Sequence, residues 1–386
     1  MISFEQLMPA LAGITWKHLV MIAIGIILIY LAIVKKYEPT LLLPMGFGAI
    51  LVNIPFSSVL TQIDPGTGEA IEGVLTIFYK AGIATEIFPL LIFIAIGAMI
   101  DFSPLFRNPS LLLFGAAAQL GIFLTMIFAV TLGFDLREAA SIGIIGAADG
   151  PTSIMVSARF APNLLGPISV AAYSYMALVP IIQPPVIKMI TTKEERRIRM
   201  DNPERANRKI NKTTLIIFPI AITIIAGIIA PSSLALIGFL MFGNLIRECG
   251  VLNSLSKSAQ NELSNLVTIL LGITIASTMN AEQFIQLDTL KIIGLGLFAF
   301  IFDTYGGVMF AKFLNLFRKP GNKINPMIGA CGISAFPMSA RVIHQMGLKE
   351  DPHNYLLMPA ISTNVGGQIG SVIAGGLILT LVPLFG

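Results

Sequence analysis

Charge is what this sequence has least of. Only 12% of its 386 residues are Asp, Glu, Lys or Arg, against about 25% in an average soluble domain. A chain so poor in charge cannot keep a soluble surface hydrated. Cysteine is almost absent as well: Cys249 and Cys331 provide no disulfide framework and no metal-binding spacing. His18, His344 and His353 are too scattered for a zinc motif. The chain has no Gly-x-x-x-x-Gly-Lys-Ser/Thr loop and no His-Glu-x-x-His, so ATP does not drive it directly. Sparse period-two alternation argues against a membrane β-barrel. Met1–Leu19 lacks a short apolar core with a small-residue cleavage site, and no removed signal peptide is expected there. The net charge of +4 is modest. Its basic residues cluster in loops, which marks topology and not a nucleic-acid surface.

What the chain has in excess is apolar length. Hydrophobic residues make up 55% and the mean hydropathy is +0.83. A bilayer is crossed by about 20 mostly apolar residues, and many segments qualify. The fold class is therefore an all-α polytopic membrane protein. Residues 1–17 look amphipathic and interfacial, with Trp16, Lys17 and His18 at the boundary. Apolar runs cover 19–34, 40–55, 85–100, 111–133, 164–187, 213–230, 233–246, 264–279 and 290–311. Residues 56–84 form a long connection carrying Asp64, Glu69 and Glu72. Residues 188–212 break the pattern with Lys188, Arg196, Arg197, Arg199, Arg205, Arg208 and Lys209 among others. By the positive-inside rule this loop is cytoplasmic. It suggests a division into an N-terminal part (1–84), a first repeat (85–187), the basic loop (188–212) and a second half (213–386).

One stretch organises the rest. Gly143–Arg159 lies among apolar runs and contains Asp149-Gly150-Pro151-Thr152-Ser153. An ionised Asp at membrane depth costs about 2.5–3.5 kcal/mol on insertion scales. Gly and Pro behind it loosen a helix, one by entropy and the other by removing a donor. Freed carbonyls, a carboxylate and two hydroxyls within a few residues are what a small hard cation needs. A helix end at the interface would tolerate the same carboxylate, but intramembrane ionisable groups are usually functional. Asp149 is read as the heart of an intramembrane ion site.

A second stretch resembles the first. Cys331–Arg341, set under Asp149–Arg159 at an offset of 182 positions, aligns Gly332 with Gly150, Ser334 with Thr152 and Ser339-Ala340-Arg341 with Ser157-Ala158-Arg159. Upstream, Ile96–Phe102 aligns with Ile275–Ala281 at an offset of 179. Two matches at nearly one offset indicate an internal duplication, the usual build of transporters with broken or re-entrant helices. Loop charges make the 85–100 span run inward and the 264–279 span outward, as an inverted repeat requires.

Other residues have two readings each. Asn325, beside the helix-breaking Pro326, offers an amide oxygen or caps a helix. Ser334 and Arg341 are seven apart and share a helical face, yet Arg341 could equally snorkel to the surface. Asn364 sits in Asn364–Ser371, where small residues suit close helix packing and the amide suits a ligand. Tyr175 needs a partner for its hydroxyl or anchors in the aromatic belt. Asp101 and Asp303 border apolar runs and are read as interfacial.

With those residues in view, the chain resembles the β subunit of the sodium-ion-translocating biotin-dependent decarboxylases. The motifs are Gly146–Thr152, Tyr175 downstream, and Asn325–Ala330 running through Ser334 to Arg341. The resemblance covers essentially the whole chain. It implies decarboxylation of a carboxybiotin delivered on a partner subunit, coupled to Na+ export with consumption of a proton. It implies that Asp149 is the Na+ and proton site and that Asn325, Gly329 and Ser334 belong to the ion site or path, with Asn364 added as a further candidate ligand. It links Arg341 to carboxybiotin or the proton step and Tyr175 to the same centre. The partners implied are biotinyl carrier and carboxyltransferase subunits and a small membrane subunit, in an oligomeric complex of the prokaryotic inner membrane. An elevator-like motion fits the inverted repeat. The chain has no Met-Lys-Met biotin attachment site of its own. The rival reading is a stand-alone Na+-coupled transporter of an organic anion, since an inverted repeat serves either.

Overall fold

The computed structural model describes residues 13–63, 66, 68–200, 210–229, 231–319 and 321–385. Most of the expected interfacial segment 1–17 lies outside the described residues, as do Asp64, Arg205, Arg208 and Lys209.

Trp16–Ile33 (α1) and Pro39–Val52 (α2) form a hairpin, with Pro39 at the first turn of α2 where its missing N–H costs nothing. The acidic connection holds a two-stranded antiparallel ribbon, Gln62–Ile63 with Ala70–Ile71, then Val74–Phe78 (α3). Ile87–Met99 (α4) follows a π-helical turn and a bend of 58°. Next come Ser103–Arg107 (α5), Leu112–Ala118 (α6) and Leu120–Thr131 (α7), the last two forming one span from Pro109. Leu136–Gly143 (α8) runs into a 3-10 turn, Ile144–Ala147, then Gly150–Phe160 (α9) and Leu165–Ile190 (α10). After Lys193–Arg196 (α11), the second half has Lys212–Ile229 (α12), Leu234–Glu248 (α13), Asn253–Ser258 (α14), Ser264–Ile275 (α15) and Ala281–Phe284 (α16). It ends with Leu287–Leu316 (α17), the 3-10 segment Pro326–Gly332, Met338–Glu350 (α18) and Leu357–Phe385 (α19). Among the described residues five helices are long and apolar enough to cross a membrane, or six if the bent pair Val74–Ile83 and α4 is one span. The chain is a multi-pass helical membrane protein.

The element order recurs. In each half a helix hairpin precedes one helix, a short helix, a long span, a broken segment, a short helix and a last long span. Contacts follow the recurrence. Gly243 of α13 lets its backbone meet Ile94 of α4, and Gly48 of α2 does the same against α15. Asn244 Nδ2 donates to the Ile100 carbonyl at 2.9 Å, and Asn53 Nδ2 to the Met279 carbonyl at 2.8 Å. These acceptors are the residues that align at the offset of 179 positions in the sequence.

One face of the molecule gathers the basic segment. There Lys312, at the end of α17, donates to the Ile190 carbonyl at 2.9 Å and pairs with Glu195 at 3.2 Å. Arg196 pairs with Glu350 at 2.7 Å. Asn325 and Asn354 donate to the Arg196 carbonyl at 2.9 and 3.0 Å. Residues 325 and 350, the two feet of the segment that carries Ser334, therefore meet the same residue. That segment is a re-entrant hairpin which enters from the basic face and returns to it. The segment carrying Asp149 opens the other way: the start of α8 meets the start of α17, where Lys291 lies over the Phe134 ring. Across this hairpin boundary α10 begins with Gly166 against Thr278, at the end of α15. Thus α10 and α17 run toward the basic face, while α19 runs away from it.

Candidate functional site: a carboxylate between two hairpin tips

The two hairpin tips touch through backbone and side chain. Ser334 N–H donates to the Ala147 carbonyl at 2.8 Å. Ser334 Oγ donates to Asp149 Oδ2 at 3.1 Å, and Ser371 Oγ of α19 donates to the same oxygen at 2.8 Å. Asp149 is the N-cap of α9: Oδ1 accepts the Thr152 backbone N–H at 3.3 Å. Local sequence explains the placement. Ala148 sits in the left-handed region at φ 51°, which turns the chain, and Pro151 fixes the start of α9. An Asp at that cap takes a free helix N–H and benefits from the helix dipole. Gly150 is needed because a Cβ there would fall 2.1 Å from the Tyr173 ring.

The carboxylate is not sealed in. A cavity of about 210 Å³ reaches it, lined among others by Tyr173, Ser334, Phe336, Gln368, Thr268, Ser264, Thr40 and Glu38. Glu38 starts α2 and Ser264 starts α15, and both helices end beside Met279 on the opposite side. The cavity therefore opens toward the basic face. Among the described residues no Lys, Arg or His lines it, and the ionisable groups there are Asp149, Glu38 and Tyr173. Among the described residues no cluster of three His, Cys, Asp or Glu exists, so oxygen from hydroxyls, amides and carbonyls must complete any cation shell. Unpartnered oxygens stand ready: Asn364 Oδ1 and Gln368 Oε1 are buried without a hydrogen bond. Their amide nitrogens are fixed, Asn364 Nδ2 on the Ile333 carbonyl at 2.7 Å and Gln368 Nε2 on the Ser334 carbonyl. Asn364, Gln368 and Ser371 lie at i, i+4 and i+7, one stripe of α19 facing the second tip.

Not every sequence candidate comes to this point. Asn325 sits at the foot of the second hairpin, bonded to the Arg196 and Ile198 carbonyls at 2.9 Å each and accepting from Met327 N–H at 3.0 Å. The seven-residue 3-10 segment Pro326–Gly332 spans about 14 Å at about 2 Å per residue. Asn325 is therefore remote from Asp149. Gly329 packs against Gly307 of α17, where an added Cβ would sit 2.1 Å from the Gly307 carbonyl. Tyr175 donates its hydroxyl to the Ile293 carbonyl of α17 and does not line the cavity. Tyr173, two residues earlier and so on the other side of α10, lies against Gly150. Arg341 is exposed one turn into α18, with no ion pair among the described residues. Asp303 is not interfacial: it is wholly buried in the middle of α17. Ser371 and Gln368 escaped sequence reasoning, although their helical spacing in an apolar span was a usable signal.

Comparison with known proteins agrees with this architecture. The family model described as Na+-transporting oxaloacetate decarboxylase beta subunit matches residues 17–382. The chain is 50% identical over 368 residues to the glutaconyl-CoA decarboxylase subunit beta of Acidaminococcus fermentans, covering 95% of this chain and 94% of that one. It is 46% identical over 384 residues to the methylmalonyl-CoA decarboxylase subunit beta of Propionigenium modestum, covering 96% of each. It is 43% identical over 435 residues to the oxaloacetate decarboxylase beta chain of Klebsiella pneumoniae, covering 98% of this chain and 99% of that one. A match along the whole membrane domain, on a fold that buries an acid between two hairpin tips, leaves one conclusion: the chain belongs to the family of β subunits of Na+-transporting decarboxylases.

Proposed function

We propose that this chain decarboxylates carboxybiotin carried on a partner subunit and exports Na+ through Asp149, which binds Na+ and H+ in turn. The observation that carries the reading is the carboxylate itself. It is held by hydroxyls of two further segments at the end of a cavity without a basic side chain. An ionised Asp149 compensates a dehydrated Na+; a protonated one needs no counter-ion in a low-dielectric site. One group thus exchanges one cation for the other. A site for an organic anion would need a cation facing it, which this cavity lacks. The stand-alone anion transporter loses its support for that reason and by the family assignment.

The chemistry needs little from the protein. The C–N bond of carboxybiotin breaks, CO2 leaves, the electron pair stays on the ureido nitrogen, and one proton is taken up there. Arg341, exposed one turn into α18 and without an ion pair among the described residues, suits the carboxylate of that group with its planar fork. Ser334, Ser371, Asn364 and Gln368 would surround the ion. Asn325 and Gly329 would act at one remove, by fixing the hairpin foot to the basic segment and the hairpin to α17.

An inverted repeat, read from the sequence as 85–187 answered within 213–386, is supported by the opposite directions of α10 and α19, and the recurring element order extends its first copy back to α1 and α2. Hairpins that enter from opposite faces and meet at their tips suit an elevator-like exchange of access. With the basic face cytoplasmic, the cavity is open inward and Na+ would enter from the cytoplasm. Biotinyl carrier and carboxyltransferase subunits and a small membrane subunit would complete an oligomeric complex in a prokaryotic inner membrane.

The test is the reconstituted complex carrying Asp149→Asn. Na+-dependent decarboxylation and Na+ uptake into inside-out vesicles should fall at least a hundredfold. Normal turnover with normal pumping would sink the assignment.

A further inference from the structure

Glu38 has a role that its position in the chain does not explain. It occupies the N-cap of α2, yet its carboxylate accepts no N–H from that helix. Helix caps are usually Ser, Thr, Asp or Asn, whose short side chains reach back to the backbone. The Glu38 backbone is left-handed, at φ 36° and ψ 57°, a region that L side chains avoid and glycine accepts. Neighbouring Lys35 and Lys36 are exposed, whereas Glu38 is half-buried. It pairs with neither lysine, nor with any other basic side chain among the described residues. Glu38 instead lines the cavity that ends at Asp149. Tyr173 lies within electrostatic reach of both acids, and the hydroxyls of Thr40, Ser264 and Thr268 line the space between. A volume of about 210 Å³ holds about seven waters at about 30 Å³ each, enough to admit a partly hydrated Na+.

We propose that Glu38 is the outer cation-binding group of the path to Asp149, drawing Na+ into the cavity and holding it before it sheds water at the hairpin tips. Two like charges focused by low-dielectric walls raise the local concentration of a cation and repel anions. This role rests on the reading of Asp149 as the inner ion site.

The test uses the intact complex in vesicles, with decarboxylation measured against Na+ concentration at low ionic strength. Glu38→Gln should raise the Na+ concentration for half-maximal rate about tenfold and leave the rate at saturating Na+ within twofold. Glu38→Asp should fall between. Glu38→Gly fits the left-handed backbone, so it should fold at least as well as the parent and still show the raised Na+ requirement, which separates cation capture from any structural effect. An unchanged Na+ requirement in both Glu38→Gln and Glu38→Gly overturns the proposal. So does loss of activity at every Na+ concentration in a variant with the parent's thermal midpoint. The inner site is judged separately: Asp149→Asn with normal Na+-dependent turnover would fail that reading, whatever Glu38 does.

Discussion

Asp149 and Asp303 are both buried carboxylates, one capping a broken helix and the other inside a continuous one, and their surroundings differ. Asp149 meets three hydroxyl or N–H donors from three different segments and faces a cavity. Asp303 meets backbone: Oδ1 accepts from Ile122 N–H at 3.2 Å, where α7 starts after the break at Gln119. Its other oxygen has no hydrogen-bond partner and lies against Gly146 of the first hairpin, which a Cβ would push aside. No cavity described above reaches it. A buried acid is therefore not by itself a transport site. Asp149 has side-chain hydroxyl donors and a cavity beside it, whereas a backbone donor holds Asp303 as a structural staple.

The widest separation should appear between paired variants. Asp149→Asn should remove Na+-coupled turnover, whereas Asp303→Asn should leave the Na+ requirement within twofold, because an amide oxygen can still accept from Ile122 N–H. A tenfold shift for Asp303→Asn, read from Na+ titrations, would erase the distinction between the two acids. A smaller change tests the donors around Asp149. Ser371→Ala removes a hydrogen bond to a carboxylate, worth about 1.5–3 kcal/mol, so the Na+ requirement should shift by about tenfold or more. Ser334→Ala should do likewise, and if neither variant moves the Na+ titration the tips do not form the site.

Stability is the next readout. Asp303→Leu leaves the buried Ile122 N–H short of an acceptor, at about 1–3 kcal/mol for an unsatisfied group, and should lower the thermal midpoint of the purified complex. Asp303→Asn should not. The smallest effect is expected at the rim. The Arg199 guanidinium bonded to Asp351, ahead of the His353 N–H, holds its carboxyl down at about 2. An unfolded Asp titrates near about 3.9. The stabilisation is therefore present above about pH 4 and lost only as pH falls through about 2. Asp351→Asn should change thermal stability slightly and by the same amount at every pH from about 5 to 8. A strong pH dependence in that window would place another titrating group at the Arg199 contact.

Much of this could be read from the sequence where the signal was local. Asp149-Gly150-Pro151 announces a carboxylate at a broken helix, because each residue's backbone preference acts on its own neighbours. Gly332 and Ser334 repeat the pattern, and the structure brings Ser334 onto Asp149. Other placements were not legible in the sequence, for a shared reason. Tyr175 and Tyr173 differ by two positions in α10, and only packing decides which one turns to the cavity. Asp303 looked interfacial because composition reports the length of an apolar run but not the depth of one residue in a longer helix. Asn325 was adjacent in sequence to the tip motif, yet a 3-10 segment carries it to the hairpin foot.

By itself the sequence determined that the chain crosses a membrane many times, that a basic segment marks one face, and that an acid stands at a helix break. These follow from the transfer cost of charge and from backbone preferences, which act residue by residue. Tertiary structure alone decided that the second tip and α19 complete the site around Asp149, that Glu38 shares its cavity, and that Asp303 is stapled to a backbone. Those outcomes depend on contacts between residues as many as 222 positions apart, fixed by which helices pack closely enough for a side chain to reach.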